Sequence, residues 1–192
     1  LKNDAFAFKV GYEFFFNFGL IGYSEIKKQD IKIFLDLKLH DIPNTVKKGI
    51  EAITKLNPYF TTIHLSGGDE MQTQANLSKK NTKILGVSIL TSLNSEQTEK
   101  FYYNNDIKKI VINFTKYALN NQLDGIVCSP KEIKLIKNIS SDKLLIITPG
   151  IRPLGYKDVN DDQKRTMTPK EAIDLGANYL VIGRPITKSS DP

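Results

Sequence analysis

The sequence has 192 residues, a formal net charge of +6 and a composition ordinary for a globular domain, with 40% hydrophobic and 25% charged residues. Its single cysteine excludes an internal disulfide, and no apolar run reaches transmembrane length. The opening residues lack a signal-peptide pattern. We therefore expect one domain over residues 1–192 in the cytoplasm, with no membrane partner. The mildly basic surface suits an anionic substrate, and blocks typical of nucleic-acid binding are missing.

Short apolar segments alternate with amphipathic segments along the chain. The predicted strands cover residues 6–11, 31–38, 60–65, 83–90, 124–129, 143–151 and 178–184. The predicted helices cover residues 12–28, 43–57, 69–79, 106–121, 130–138 and 169–176. The strands are rich in Ile, Val, Leu and Phe without strict alternation, as expected of parallel strands buried on both faces. Strand followed by helix, repeated along the chain, predicts an α/β protein.

A doubly wound sheet and a TIM (β/α)8 barrel both fit this alternation. The barrel is favoured because polar side chains follow many different strands, and a barrel collects its active site from the carboxyl ends of its strands. These residues are Lys9, Asp36, Lys38, His64, Thr91, Arg152 and Arg184. No G-x-G-x-x-G follows the first predicted strand, which counts against a dinucleotide-binding fold.

A closed barrel needs eight strands, and seven are recognisable in the sequence. The first residue is Leu1 rather than Met, and the sequence stops at TKSSDP, where a final helix would begin. We therefore expect a barrel without its first strand and last helix, from a native protein that is longer at both ends.

The segment FLDLKLHDIPNT, residues 34–45, is the most informative pattern. Asp36 and Lys38 are two apart on a predicted strand, so their side chains should project to one face. Asp41 follows in the turn, and Lys9 ends the preceding strand. Because buried charges need partners, we expect two lysines and two carboxylates in one network, with Lys38 protonated and able to protonate a carbanion. The alternative is a structural ion pair, with Asp41 as a helix N-cap.

Two segments with glycine before arginine follow the last two predicted strands, TPGIRP at 148–153 and VIGRPIT at 181–187. Backbone N–H groups in such turns bind anions, and TIM barrels commonly bind phosphate at their seventh and eighth loops. Arg152 and Arg184 would add charge-assisted hydrogen bonds. Together the segments predict a phosphate site, although either glycine alone would be explained by a tight turn.

Several other polar and aromatic residues leave alternatives open. Thr91 and Ser92 either donate hydroxyls to a substrate or cap the next helix. His64 either contacts substrate or supports the structure, and neither it nor His40 has metal-ligand spacing. The aromatic residues of segment 12–19 are most simply a helix face in the core.

The order of these motifs resembles the orotidine 5′-phosphate decarboxylase family. The shared segments are FKVGYE, FLDLKLHDIPNTV, HLSGG, LTS, TPGIRP, DQKR-x-MTP and VIGRPIT-x-S-x-DP. The resemblance implies a homodimeric (β/α)8 barrel that converts orotidine 5′-monophosphate to UMP and CO2 without a cofactor. The nearest alternative is a magnesium-dependent sugar-phosphate decarboxylase or aldolase of the same suprafamily. A catalytically inactive binding or assembly protein is the alternative from a different class.

The resemblance also assigns roles to individual residues. The charged tetrad of the family matches Lys9, Asp36, Lys38 and Asp41. Lys38 would protonate C6 of the pyrimidine as the carboxylate leaves, and Asp36 would lie near that carboxylate. The residues that complete the neighbouring subunit's site match Asp41, Ile42 and Thr45, so a dimer would share its active sites.

The remaining substrate contacts implied by the resemblance lie later in the chain. Thr91 matches a family residue whose hydroxyl lies near the pyrimidine or ribose. Gln163 matches a family residue whose side chain bridges from the phosphate toward the base. The family's set of phosphate-binding residues matches Arg152, Gln163, Gly183 and Arg184. An aspartate on the family's first strand, which binds the ribose hydroxyls, has no counterpart in this sequence.

Overall fold

The computed structural model describes residues 1–156 and 165–192. The chain forms two compact units, Leu1–Leu85 and Gly86–Pro192, which are described separately below. Within each unit, neighbouring strands follow one another in the order of the chain. No helix in the described ranges is both long enough and apolar enough to cross a membrane.

The first unit alternates strands and helices in the predicted order. Its elements are β1 (Ala7–Val10), α1 (Tyr12–Lys27), β2 (Lys32–Leu39), α2 (Pro43–Leu56), β3 (Phe60–His64), α3 (Gly68–Ser78) and the start of β4 (Lys83–Val87). β1 pairs in parallel with β2, and β2 in parallel with β3. A buried cluster holds these elements together through Val10, Tyr23, Ile33, Leu35 and Ile53.

The second unit continues the same alternation. Its helices are α4 (Ser95–Tyr102), α5 (Ile107–Asn120), α6 (Ile133–Ser140), α7 (Pro169–Asp174) and α8 (Arg184–Thr187), and its strands after β4 are β5 (Gly125–Val127), β6 (Leu145–Thr148) and β7 (Tyr179–Leu180). β5 pairs in parallel with β6, and β6 with β7. Side chains from its helices and strands fill the interior, among them Val111, Ile126, Ile133, Ile136 and Ile146.

The predicted strands and helices are all found, but some boundaries differ. The segments 83–90 and 178–184 were predicted too long, because β4 ends at Val87 and the β6–β7 ladder has only two residue pairs. The sequence analysis missed α4. Its capping box was readable, since Asn94 and Gln97 exchange side chain–backbone hydrogen bonds, but the helix carries few apolar residues to mark it.

The aromatic segment 12–19 is only partly in the core. Gly19 interrupts α1 with φ 54° and ψ −146°, so the helix consists of two segments. Phe14 and Phe15 pack against the core of the first unit. The exposed side chains of α1 include Tyr12, Phe16, Phe18, Leu20 and Ile21. The prediction of a core-facing aromatic helix is therefore wrong for the outer half of these residues, which form an uncovered apolar surface on this chain.

Candidate active site

The candidate active site begins at an irregularity in β2. The pairing with β3 runs from Leu35↔Thr61 to Leu39↔Ile63, so β2 advances four residues while β3 advances two. The single residue Thr62 therefore stands opposite three residues, 36–38. Lys38 has φ 44°, a left-handed backbone that typically costs a residue other than glycine about 1–3 kcal/mol. Strain of this kind often marks a functional site.

Three of the four predicted charged residues meet at this bulge. Lys38 Nζ lies 2.9 Å from both carboxylate oxygens of Asp36, and Lys9 Nζ lies 3.3 Å from Asp36 Oδ2. The Asp36 side chain is 9% exposed, whereas those of Lys9 and Lys38 are 38% and 28% exposed. Asp36 and Lys38 thus come together as predicted, but through a bulge rather than through the regular alternation of a strand.

The electrostatics of the cluster favour an ionised carboxylate. Burial acts to raise the pKa of Asp36, but the charges of Lys9 and Lys38 and hydrogen bonds from Lys38 and Thr62 outweigh it. The pKa of Asp36 is therefore lowered. One carboxylate and two ammonium groups leave an excess of one positive charge, which would attract an anionic ligand.

Two hydroxyl groups brace the bulge. Thr62 Oγ1 donates to Asp36 Oδ1 and accepts the backbone N–H of Lys38, each at 2.9 Å. The Tyr12 hydroxyl donates to the Leu37 carbonyl at 3.0 Å. The sequence analysis missed both, because their contacts depend on the register between β2 and β3 and on where α1 packs.

The fourth tetrad residue and two further predicted site residues lie around the start of α2. Asp41, Ile42 and Thr45 are all exposed, and within the described residues Asp41 forms no ion pair with either lysine. The N-cap residue of α2 is Ile42, whose N–H donates to Asp41 Oδ1 at 2.7 Å. The alternative of Asp41 as the helix N-cap is therefore wrong, and its carboxylate is presented outward at the helix start.

His64 ends β3 near the charged cluster. Burial, followed by the charges of His40 and Lys38, lowers the pKa of His64 to about 4, although Asp36 acts in the opposite direction. Its imidazole ring lies 5.3 Å from that of His40. His64 is therefore neutral at neutral pH, which avoids a third cation beside the two lysines.

The predicted phosphate residues lie in the second unit, after two paired strands. β6 and β7 end at the partners Thr148 and Leu180, and Arg152 and Arg184 each follow four residues later. Parallel neighbours end at the same edge of a sheet, so both arginines follow strands that end at one edge. Gly183 is exposed, and a Cβ added there would meet no atom within 4 Å. Gln163 lies outside the described residues.

Thr91 lies in the turn between β4 and α4 and is half-buried. The N-cap of α4 is Asn94, whose side chain accepts from Gln97 N–H at 3.0 Å. The alternative that Thr91 or Ser92 caps this helix is therefore wrong.

A second buried carboxylate occurs in the second unit. Glu132 is 4% exposed, accepts the Ser129 N–H at 3.1 Å and pairs with Arg165. Arg165 also donates to the Leu90 carbonyl at 3.1 Å. Burial raises the pKa of Glu132, and the charge of Arg165 and the hydrogen bonds from Ser129 and Arg165 do not outweigh it. No sequence pattern indicates this pair, whose members are 33 residues apart.

Neither metal ligands nor a reactive thiol emerge in the ranges 1–156 and 165–192. No group of three or more His, Cys, Asp or Glu side chains there could hold a metal ion. Cys128 is free and buried. Burial, together with the charge of Glu132, raises the pKa of its thiol.

The whole sequence, residues 1–192, matches the family described as "Orotidine 5′-phosphate decarboxylase / HUMPS family". The chain belongs to this family. The match confirms the resemblance inferred from the motifs.

The chain is similar to relatives of this family over nearly all of its length. It is 46% identical to the orotidine 5′-phosphate decarboxylase of Wolbachia sp. subsp. Brugia malayi, over 100% of this chain and 85% of that protein. It is 47% identical to that of Ehrlichia chaffeensis, over 96% of this chain and 80% of that protein. The crystal structure of the Lactobacillus acidophilus decarboxylase superposes with a TM-score of 0.81 at 38% identity, over 96% of this chain and 80% of that chain. The predicted TIM-barrel fold class is confirmed by this likeness.

Proposed function

We propose that this protein decarboxylates orotidine 5′-monophosphate to UMP and CO2, the last step of de novo pyrimidine nucleotide synthesis, without a cofactor. The observation that carries the proposal is the pair of lysine ammonium groups held by one buried carboxylate, Asp36, in a chain of this family. We place the reaction in the cytoplasm, where the free Cys128 would stay reduced.

The chemistry requires a charge at a defined point rather than an electron sink. When the C6–carboxylate bond breaks, its electron pair stays on C6, where no adjacent carbonyl delocalises it. Preorganised positive charge is the remaining means of stabilising that carbanion. Lys38 would then transfer a proton to C6 and regain one from solvent. Asp36 would lie beside the departing carboxylate and order both Lys38 and Lys9.

Residues later in the chain would supply the phosphate and nucleoside contacts. The guanidinium groups of Arg152 and Arg184 can each donate two hydrogen bonds to phosphate oxygens, and the open position of Gly183 leaves room for a close approach. Gln163 would bridge toward the base, and Thr91 would contact the pyrimidine or ribose. Binding energy from the phosphate would then be available to hold the reacting end of the substrate.

The proposed enzyme is a homodimer whose active sites are shared. Asp41, Ile42 and Thr45 would complete the partner subunit's site, and all three are exposed on this chain. Ile42 is 67% exposed, and the apolar surface of α1 is also uncovered. A carboxylate from Asp41 would neutralise the excess positive charge beside Lys38 and Lys9 and complete the alternating tetrad.

Mixing two inactive variants tests the shared site. We expect Lys38→Ala and Asp41→Ala dimers each to be nearly inactive, and their mixture to recover part of the wild-type activity after subunit exchange. Each hybrid dimer has one site with both defects and one with neither. Activity measured after exchange has been verified by mass spectrometry is the readout, and a mixture as inactive as its parents would contradict sharing.

Release of CO2 from orotidine 5′-monophosphate by the purified full chain tests the proposed reaction. We expect turnover that is unchanged by a chelator and by added magnesium. Turnover that needs magnesium would favour the sugar-phosphate enzymes that share the D-x-K-x-x-D pattern. Binding of UMP without any CO2 release would favour a catalytically inactive binding protein and contradict the proposal.

A further inference from the structure

Thr62 has no role in the mechanism above, yet it is placed at the centre of the charged cluster. It is fully buried on β3, at 0% exposure, opposite the three β2 residues of the bulge. Its hydroxyl oxygen lies 2.9 Å from Asp36 Oδ1 and 2.9 Å from the Lys38 backbone nitrogen. One atom therefore contacts both the carboxylate and the backbone of the lysine that the carboxylate holds.

The direction of both hydrogen bonds follows from the chemistry of the partners. A backbone N–H can only donate, and an ionised carboxylate can only accept. The Thr62 hydroxyl must therefore accept from Lys38 and donate to Asp36. A side chain without a hydroxyl, such as valine, can do neither, whereas serine can do both.

The bulge explains why a side chain is needed here. β2 and β3 are out of register between Leu35 and Leu39, so the Lys38 N–H meets the Thr62 hydroxyl instead of a strand carbonyl. Lys38 is at the same time in the left-handed region, with φ 44°. The hydroxyl thus stabilises a backbone conformation that a lysine rarely adopts, and it holds Asp36 in the orientation in which both oxygens reach Lys38 Nζ.

We propose that Thr62 is a positioning residue for the reaction, whose hydroxyl aims Lys38 by holding its backbone and its Asp36 partner together. This inference rests on the proposed decarboxylation. It assigns Thr62 no contact with the substrate. Its effect should therefore fall on turnover, where the placement of the proton donor matters, and not on affinity for the product UMP, which has no carboxylate at C6.

Thr61 offers a matched control one residue earlier on the same strand. It is also 0% exposed, and its hydroxyl donates to the Leu35 carbonyl at 2.9 Å. Replacing either threonine by valine exchanges one buried hydroxyl on β3 for a methyl group of similar size. Only the change at residue 62 removes contacts to Asp36 and Lys38.

The experiment compares Thr62→Val, Thr62→Ser and Thr61→Val in the full chain, measuring kcat for orotidine 5′-monophosphate, the Kd of UMP and the thermal midpoint. Misplacing a catalytic group by about 1 Å can cost on the order of 100-fold in rate, so we expect Thr62→Val to lower kcat by about 10–100-fold. We expect the Kd of UMP to stay close to the wild-type value. Thr62→Ser should restore most of kcat, and Thr61→Val should lower the thermal midpoint while keeping kcat.

Three results would overturn the inference: unchanged kcat in Thr62→Val, an equal loss in Thr62→Ser, or an equal loss in Thr61→Val. Hydrogen exchange of the Lys38 amide gives a readout that does not depend on activity. It also does not require the Thr62→Val variant to fold. We expect slow exchange in the wild type and in Thr62→Ser, and fast exchange in the wild type would also overturn the inference. A wild-type chain that releases no CO2 would instead contradict the proposed function, which the amide measurement does not test.

Discussion

Asp36 in the first unit and Glu132 in the second are both buried carboxylates with basic partners, yet the pKa of Asp36 is lowered and that of Glu132 is raised. Burial is the largest influence on each and acts in the same direction. Asp36 contacts two lysines and a hydroxyl, whereas Glu132 contacts one arginine and one backbone N–H. The sign of the shift is thus decided by the number of partners that favour the ionised form.

The two clusters also differ in what they leave for a ligand. The lysines of the first cluster are 28% and 38% exposed. Arg165 is 12% exposed, and its two terminal nitrogens donate to Glu132 and to the Leu90 carbonyl. The first cluster has surplus charge that a substrate can reach. The second cluster links the chain segments around residues 90, 132 and 165 to one another, so we interpret its contacts as structural.

The largest effect should follow from removing the reachable lysine. We expect Lys38→Ala to reduce decarboxylation by about 10⁴-fold or more, equivalent to about 5 kcal/mol of barrier, because a preorganised charge and the proton donor are both lost. Its free energy of unfolding should change little, since Asp36 keeps Lys9 and Thr62. Steady-state kinetics measures the loss of activity, and urea unfolding measures the change in stability. Near-native turnover would contradict the role of Lys38.

Breaking the second cluster should instead be felt in stability. Glu132→Ala leaves the mostly buried guanidinium of Arg165 without its carboxylate, which should cost about 3–5 kcal/mol of unfolding free energy. Urea unfolding measures the loss. Exposed Glu25, whose carboxylate pairs with Lys28, provides the control, and Glu25→Ala should cost less than about 1 kcal/mol. Equal losses in the two variants would show that the buried pair is not structurally important.

A third change tests the proposed contact between Arg184 and the phosphate. Arg184→Ala should weaken UMP affinity by about 1.5–3 kcal/mol, the cost of a lost hydrogen bond to a charged group. Orotidine, which lacks the phosphate, should be nearly indifferent to the change. Calorimetric titration with both ligands checks this, and an equal loss for both would mean that Arg184 is not a phosphate ligand.

The smallest effect is a difference in how the two carboxylates respond to pH. Because the folded pKa of Asp36 is lowered, its contribution to stability is present above the unfolded value of about 3.9 and is lost as pH falls through the folded pKa. Because the folded pKa of Glu132 is raised, its contribution is present below about pH 4.3 and is lost as pH rises through the folded pKa.

Unfolding free energies measured in urea across the acid range give the comparison. Subtracting the unfolding free energy of Asp36→Asn from that of the wild type should leave a difference that rises with pH below about 4. Its slope should be no more than about 1.4 kcal/mol per pH unit. Subtracting the unfolding free energy of Glu132→Gln from that of the wild type should leave a difference that falls with pH above about 4.3. Slopes of the same sign for both would break the contrast between the clusters.

The sequence was sufficient for the features that depend on local pattern. Apolar segments and periodicity located the strands and most helices, and the D-x-K-x-x-D spacing brought Asp36 and Lys38 together. The bulge at residues 36–38 was not predictable, because it exists only in the register between β2 and β3. Thr62 and the Glu132–Arg165 pair escaped for the same reason, since their partners are 24–33 residues away in the chain.

The placement of Asp41 shows a different limit. The sequence suggested that it would join the lysines, but in one chain it lies at the exposed start of α2. The family resemblance assigns its charge to the tetrad of a neighbouring subunit, and nothing in the residue pattern alone indicates which chain supplies it. Dimerisation and the roles of Ile42 and Thr45 therefore stay predictions.

The central claim, that an ammonium group at residue 38 drives the reaction, is tested most directly by removing and restoring that group. Lys38→Cys should be inactive, and alkylation with 2-bromoethylamine, which rebuilds a lysine-like ammonium on the sulfur, should restore a large part of the decarboxylation rate. The native Cys128 is buried with a raised thiol pKa, so it should not react, and treated wild-type protein should keep its activity. An alkylated variant that stays inactive despite complete modification by mass spectrometry, or an active Lys38→Cys before alkylation, would contradict the account.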